Sequence, residues 1–91
     1  MLAGRRYVVS GRVQGVGFRF FVRDAALREG IRGWVRNRDD GRVEIEAEGD
    51  AEALRRFEMA VRRGPVGARV DDVMADPMPA AGGRQGFAIE H

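Results

Sequence analysis

A glycine-rich run followed by an arginine is the part of this sequence best suited to chemistry; it covers residues 11–19, GRVQGVGFR. Gly15 and Gly17 lack a Cβ, so the backbone there can take left-handed conformations and turn its N–H groups towards one point. A helix that begins just after them adds unpaired N–H donors and the positive end of its dipole. The guanidinium of Arg19 adds a fixed fork of donors that suits an oxyanion. The run therefore predicts a cradle for a dianion, and a phosphoryl group suits it best.

The same run also has a purely structural explanation, because turns between a strand and a helix often need glycines only to reverse the chain. It is not a Walker loop, since no Lys-Ser or Lys-Thr pair follows the glycines. It is not a dinucleotide fingerprint either, since Phe20 stands where the third glycine should be. The loop alone leaves anion binding and simple chain reversal both open.

Length and composition restrict the class of protein. The 91 residues suffice for a single domain over residues 1–91, with a core too small to enclose a deep substrate cavity. No apolar run approaches membrane-spanning length and the N-terminus lacks the apolar stretch of a signal peptide, so we expect a cytoplasmic protein without a membrane partner. There is no cysteine, which excludes disulfides, thiolate metal sites and cysteine nucleophiles. Size and surface composition favour a monomer.

The charge balance is basic but modest. All 16 basic residues are arginines, against 14 carboxylates, which gives a net charge of +2. Almost nothing titrates between the carboxylates and the guanidinium groups, so the high isoelectric point does not indicate a strong positive field. Arginines concentrate in the first half and could attract an anionic substrate, although scattered surface arginines explain any one of them equally well. Those arginines are Arg12, Arg19, Arg32, Arg36, Arg38 and Arg42.

Hydrophobic periodicity predicts the element order βαββαβ with a short closing strand. Strands are predicted over residues 6–13, 33–37 and 43–48, within 66–76, and at Phe87 and Ile89. Helices are predicted over residues 18–29 and from the Asp50 cap to the stop at Gly64 and Pro65. This order is typical of an α+β, ferredoxin-like βαββαβ sandwich: an antiparallel sheet of four to five strands with both helices on one face. The fold alone gives no function.

Apolar spacing predicts which side chains face the core. Phe18 and Trp34 are interpreted as core residues rather than substrate contacts. For the strand predicted within residues 66–76, two inward faces are possible: one carries Val70 and Met74, and the other carries Val73. The predicted stripe of the second helix is Ala51, Leu54, Phe57 and Val61.

Glutamates alternate at positions 44, 46 and 48, a pattern that fits either a metal site or the wet face of a strand. The wet face is the commoner explanation, and no histidine, cysteine or second acidic cluster supports a metal. We therefore expect no metal and no cofactor.

Three blocks of sequence together resemble the acylphosphatase family: residues 11–19, then Gly-Trp-Val-Arg-Asn at 33–37, then Asp40, Gly41, Val43 and Glu44. The resemblance extends over nearly the whole chain, and its first two blocks are specific. It implies hydrolysis of a small-molecule acyl phosphate, a carboxyl–phosphate anhydride, to a carboxylate and inorganic phosphate without a metal.

The resemblance also implies roles for individual residues. Main-chain amides of one segment would hold the phosphoryl oxygens, and Arg19 would bind the same group. Asn37 would position the attacking water. The segment consists of Gln14, Gly15, Val16, Gly17 and Phe18.

The residue inventory agrees with attack by water. The candidates for a covalent phosphoenzyme are Ser10, which lies mid-strand with no base near it, and His91 at the chain end. Asn37 is the only asparagine, and its amide can accept from water and donate to an oxyanion at once. Asparagine is also common where a turn opens, so position alone leaves its role undecided.

Two alternatives stay open. RNA-recognition modules share the element order, and residues 17–22 weakly resemble their aromatic signature. That signature lies on a strand, whereas this stretch has helical spacing. The chain could also bind a small anion without turnover. It departs from the family at Glu29, where relatives often have an apolar residue, and in its ending Ile89-Glu90-His91.

Overall fold

The computed structural model describes all of residues 1–91 and contains five strands and two helices. In chain order these are β1 (Leu2–Arg12), α1 (Phe18–Glu29), β2 (Arg32–Asn37), β3 (Val43–Asp50), α2 (Ala51–Arg63), β4 (Arg69–Met78) and β5 (Phe87–Glu90). The strands form one sheet in the order β4-β1-β3-β2-β5. The predicted element order, including the closing strand, is confirmed.

The sheet is mixed, which corrects the prediction of a wholly antiparallel sheet. Strands β1 to β4 pair antiparallel with their neighbours, but β5 pairs parallel with β2. The reason is the path of residues 79–86. Strand β4 ends opposite Gly4, at the start of β1, and the chain then crosses this end of the sheet, where the Gly82 N–H donates to the Glu48 carboxylate at 3.0 Å. Strand β5 therefore begins at the end where β2 begins and runs in the same direction.

Both helices pack on one face of the sheet and enclose a core cluster of 19 buried residues. Phe18 belongs to this cluster, as predicted, and its ring centroid lies 6.3 Å from that of Phe21. The predicted stripe of α2 is wrong at Ala51, which is exposed at the first helical position. The buried residues follow the helical period from the third residue of α2 onwards: Ala53, Leu54, Phe57, Ala60 and Val61.

A β-bulge explains why neither predicted alternation of β4 is correct. The β1–β4 register shifts between Ser10 and Gly11, so Val73 pairs with Val9 while Val70 pairs with Gly11. An extra residue in one strand reverses the inward side, and both valines therefore contact the core. Met74 is exposed.

The face of the sheet away from the helices is more buried than predicted. Glu44 and Glu48 have side chains almost inaccessible to solvent, rather than facing water. Arginines from neighbouring strands cover Glu44, and residues 79–86 cover Glu48. Trp34 lies on this face, paired opposite Glu46, and the Arg36 guanidinium is 5.3 Å from its ring centroid. Trp34 is therefore outside the core cluster, and that prediction was wrong.

Candidate active site

The glycine-rich loop between β1 and α1 has the backbone that its residues predicted. Gly15 and Gly17 have φ angles of 74° and 77°, in the left-handed region that side-chain-bearing residues avoid. A Cβ built at either position would meet no protein atom within 4 Å. These glycines are thus required by the turn of the chain and not by close packing, and the space beside them is open to a ligand.

The N–H groups of this loop are not used by the fold. Among the hydrogen bonds between backbone groups outside the helices and strands, none has a donor in residues 15–20. Gly17 is the N-cap of α1 and supplies no side-chain acceptor, and the first turn contains no acidic residue. Unpaired N–H groups and the positive end of a helix dipole together attract an anion.

The second helix shows the ordinary arrangement. The Asp50 carboxylate caps α2 by accepting from the Glu52 N–H at 3.1 Å, and Glu52 places a negative charge in the first turn. The N-terminal ammonium group hydrogen-bonds to Asp50 and lowers the pKa of its carboxyl group. One helix start is therefore neutralised within the protein, whereas the other is left open.

Asn37 ends β2 at the same end of the sheet. It pairs with Val43, which itself pairs with Val9 near the end of β1. Because side chains alternate along a strand, Asn37 projects to the same face as the fully buried Val35, the face on which the helices pack. Its Oδ1 is buried and receives no hydrogen bond from the protein. The carboxamide oxygen is thus an acceptor without a protein donor.

Gln14 connects the loop to the turn that follows Asn37. Its side-chain amide nitrogen lies 2.8 Å from the carbonyl oxygen of Arg38 and 3.0 Å from that of Arg42. These contacts hold the loop against the β2–β3 turn and bring together two of the predicted site segments. Gln14 belongs to the predicted phosphate-binding segment, but this contact could not be predicted from the sequence because its partners are 24 and 28 residues away.

Arg19 is the second residue of α1 and is half-buried. Its guanidinium takes part in none of the ion pairs or side-chain hydrogen bonds of the protein, in contrast to Arg36 and Arg38 on the adjoining strand and turn. It therefore stands at the open start of the helix without a carboxylate partner.

The turn between β2 and β3 is held together by Asp40. Its carboxylate accepts from the Arg42 backbone N–H and from the Arg42 and Arg38 guanidinium groups. Hydrogen bonds from Arg42, with a further contribution from Arg38, hold the pKa of the Asp40 carboxyl group well below its usual range. The turn therefore keeps its internal charge pairing at neutral pH.

The largest cleft does not coincide with this site. It has a volume of about 500 Å³ and includes Asn37 and His91 but no residue of 14–19. Its walls on the sheet are Arg6, Arg36 and Glu44, on the face away from the helices, and both arginines are already bound to Glu44. We therefore place the candidate site at the loop, where donors are unpaired, rather than in this cleft.

Three features bear on the other interpretations of the sequence: the grouping of acidic side chains, the position of the aromatic residues and the length of the helices. No group of three or more His, Cys, Asp or Glu side chains lies close enough together to hold a metal ion. The aromatic residues of 18–21 lie on α1 and not on a strand, so they do not form the exposed sheet signature of an RNA-recognition module. Neither helix is long and apolar enough to cross a membrane.

Comparison with known proteins agrees with this arrangement. The sequence model of the acylphosphatase family matches residues 5–89. The acylphosphatase of Bacillus licheniformis is 48% identical over 86 residues, which is 94% of this chain and 96% of that protein. The crystal structure of acylphosphatase from Bacillus subtilis superposes with a TM-score of 0.94 at 46% identity and full coverage of both chains. An acylphosphatase structure from Coxiella burnetii gives 0.92 at 30% identity, covering 98% of this chain and 93% of that one.

The element order and the two helices on one face define a ferredoxin-like α+β protein, here with a loop of unpaired amides at one end of the sheet. The chain belongs to the acylphosphatase family. The predicted family, fold class and acylphosphatase function are confirmed by these matches. The roles of the individual site residues stay predictions.

Proposed function

We propose that this chain hydrolyses acyl phosphates at the loop between β1 and α1. The observation that carries the proposal is the unpaired state of the backbone N–H groups of residues 15–20, beside an uncapped helix start and an unpaired arginine. A phosphoryl dianion needs this set of donors: several short N–H contacts and one guanidinium.

In the proposed binding mode the N–H groups of Gly15, Val16, Gly17 and Phe18 donate to the phosphoryl oxygens. The Arg19 guanidinium donates to the same group and balances its charge. Because these donors are fixed before the substrate arrives, little reorganisation is needed as charge redistributes in the transition state. The donors thus serve both binding and catalysis.

The chemistry is direct displacement at phosphorus by water. The water oxygen forms a bond to phosphorus while the bond from phosphorus to the carboxyl oxygen breaks, and its electron pair leaves with the carboxylate. The proton released by water ends on the inorganic phosphate. A carboxylate is a weakly basic leaving group, so no general acid is required, and positioning supplies most of the rate enhancement.

Asn37 has the proposed role of holding the attacking water. Its Oδ1 can accept a hydrogen bond from water, and it is buried without competition from a protein donor. An amide cannot remove the proton at neutral pH, so the role is orientation of the water and not general base catalysis.

The test is hydrolysis of benzoyl phosphate, with and without a chelator, by the wild-type protein and Arg19→Ala. Turnover should be insensitive to the chelator. Arg19→Ala should raise the inhibition constant of inorganic phosphate by about 10-fold or more, since a hydrogen bond from a charged group contributes about 1.5–3 kcal/mol. Arg28→Ala is the matched control, because Arg28 is exposed in the last turn of the same helix and forms no ion pair. Full turnover by Arg19→Ala would refute the site.

Three further predictions belong to this proposal: that residues 1–91 act as a single domain and a monomer, that the protein is cytoplasmic, and that it binds no nucleic acid. Light scattering after gel filtration measures the oligomeric state. A salt-sensitive affinity for single-stranded RNA would contradict the third prediction.

A further inference from the structure

The side chain of Gln14 is fixed by two acceptors at once. The backbone carbonyls of Arg38 and Arg42 lie 2.8 and 3.0 Å from its amide nitrogen. A carbonyl oxygen can only accept, so both hydrogens of the amide nitrogen are used, and the oxygen end of the carboxamide points away from the turn. This side chain therefore has no donor left for a phosphoryl group.

The two acceptors belong to the ends of one rigid turn. The Arg38 N–H donates to the Arg42 carbonyl at 2.8 Å, and the Gly41 N–H donates to the Arg38 carbonyl at 3.2 Å. The Asp40 carboxylate accepts four further hydrogen bonds inside the same turn. Gln14 thus attaches the loop to a turn that does not deform easily.

Both sides of this connection lie next to a proposed catalytic group. Gln14 directly precedes the amides of residues 15–18, and Arg38 directly follows Asn37. The loop and the end of β2 are far apart in sequence. In addition to the strand pairing that links β1 to β2 through β3, the connection therefore helps to set how far the phosphoryl cradle lies from the carboxamide that holds the water.

We propose that Gln14 is a positioning residue, whose side chain sets the alignment of the attacking water on phosphorus by fixing the loop to the β2–β3 turn. The proposal rests on the function proposed above. The backbone of Gln14 keeps its predicted place in the phosphate-binding segment, and the proposal gives its side chain the role of a connector. Loss of the side-chain donors should impair the chemical step while leaving the internal arrangement of the phosphate cradle intact.

The experiment compares Gln14→Met with the wild-type protein, because methionine has a similar length but no donor. We expect kcat for benzoyl phosphate to fall about 10- to 100-fold, the range expected for a displacement of up to about 1 Å. The inhibition constant of inorganic phosphate should change less than about 3-fold, since a charged contact is not lost. Gln85→Ala, which removes an exposed carboxamide, is the matched control and should be silent. Gln14→Glu places a negatively charged carboxylate against two carbonyl oxygens, so its kcat should fall at least as far as that of Gln14→Met.

A double-mutant cycle separates alignment from general damage. If Gln14 acts through the water held by Asn37, Gln14→Met should lower kcat less than about 3-fold in an Asn37→Ala background. Equal losses in both backgrounds, or a large rise in the phosphate inhibition constant, would overturn the proposal in favour of a structural or ligand role. Thermal unfolding checks that each variant is folded at the assay temperature, and Gln14→Leu, which is also uncharged and lacks a donor, replaces Gln14→Met if that variant is not. No turnover by the wild-type protein would refute the proposed function itself, whereas an active wild type with fully active Gln14 variants would refute only the positioning role.

Discussion

Replacement of Asn37 by alanine should raise the stability of the protein while it removes most of the turnover. The Oδ1 atom is buried and receives no hydrogen bond from the protein, so truncation removes no hydrogen bond that this atom makes within the fold. A buried polar group without a partner costs about 1–3 kcal/mol. We take the lower end, since Asn37 as a whole is only partly buried. The free energy of unfolding should then rise by about 1 kcal/mol, or roughly 4–8 °C in Tm for a protein of this size.

The effect on activity should be opposite and larger. Loss of one positioned group that acts on the transition state lowers kcat by about 10²-fold or more, which corresponds to roughly 2.7 kcal/mol. Binding of inorganic phosphate should change little, because the loop amides and Arg19 are untouched. A residue retained for catalysis at the expense of stability has this signature.

The assay pairs thermal unfolding with steady-state hydrolysis of benzoyl phosphate and inhibition by inorganic phosphate. Gln85→Ala is the control, because it also removes a carboxamide, but from an exposed residue. If Asn37→Ala is less stable and its activity falls only in proportion to the unfolded fraction, Asn37 is a structural residue and the reasoning is wrong. Wild-type turnover in a stable variant would equally refute it.

Two further predictions concern the sheet that carries the site. Glu44→Gln should lower stability at pH 7 by about 1–2 kcal/mol, because it weakens hydrogen bonds to two partly exposed arginines. Burial opposes ionisation of Glu44, but the hydrogen bonds from the two arginines outweigh it and lower the pKa of the Glu44 carboxyl group. The ionised carboxylate therefore stabilises the protein above about pH 4.3, and this stabilisation is lost as the pH falls through the lower folded-state pKa. The stability of Glu44→Gln should depend less on pH in this acid range. Gly33→Ala should destabilise by more than about 3 kcal/mol, since its Cβ would lie 1.9 Å from the backbone oxygen of Glu46. Gly83→Ala, where a Cβ meets nothing, should be neutral in the same urea titration, and similar midpoints for the two would contradict the steric argument.

Local chemistry explains which parts of the fold and site could be predicted from the sequence. The left-handed glycines of the loop follow from the absence of a Cβ, and the Asp50 cap follows from the preference of a short acceptor for a helix start. These features depend on residues a few positions apart. The periodicities of the two helices and of β3 are equally local, and for that reason the element order was correct.

The features that could not be predicted depend on contacts across the chain. The direction of β5 depends on the path of residues 79–86, and the burial of Glu48 depends on the same segment. The Gln14 contact depends on the β2–β3 turn, whose accepting carbonyls are 24 and 28 residues away. A bulge of one residue in β4, opposite Ser10 and Gly11, reverses the inward side of that strand, and nothing in the alternation of β4 itself reveals it.

The two helix starts show how a local exception can indicate function. A sequence that specifies only a stable fold would cap both helices, because an N-cap side chain contributes about 1 kcal/mol. Here α2 has Asp50 and Glu52, whereas α1 begins at a glycine without an acceptor or an acidic first turn. An anion bound at α1 would complete that helix start, so inorganic phosphate should raise the thermal stability of the wild-type protein. The increase should follow the inhibition constant through mass action and should be smaller in Arg19→Ala at the same phosphate concentration. A rise of equal size in both proteins would mean that phosphate acts elsewhere on the surface, and the open helix start would then have no role in binding.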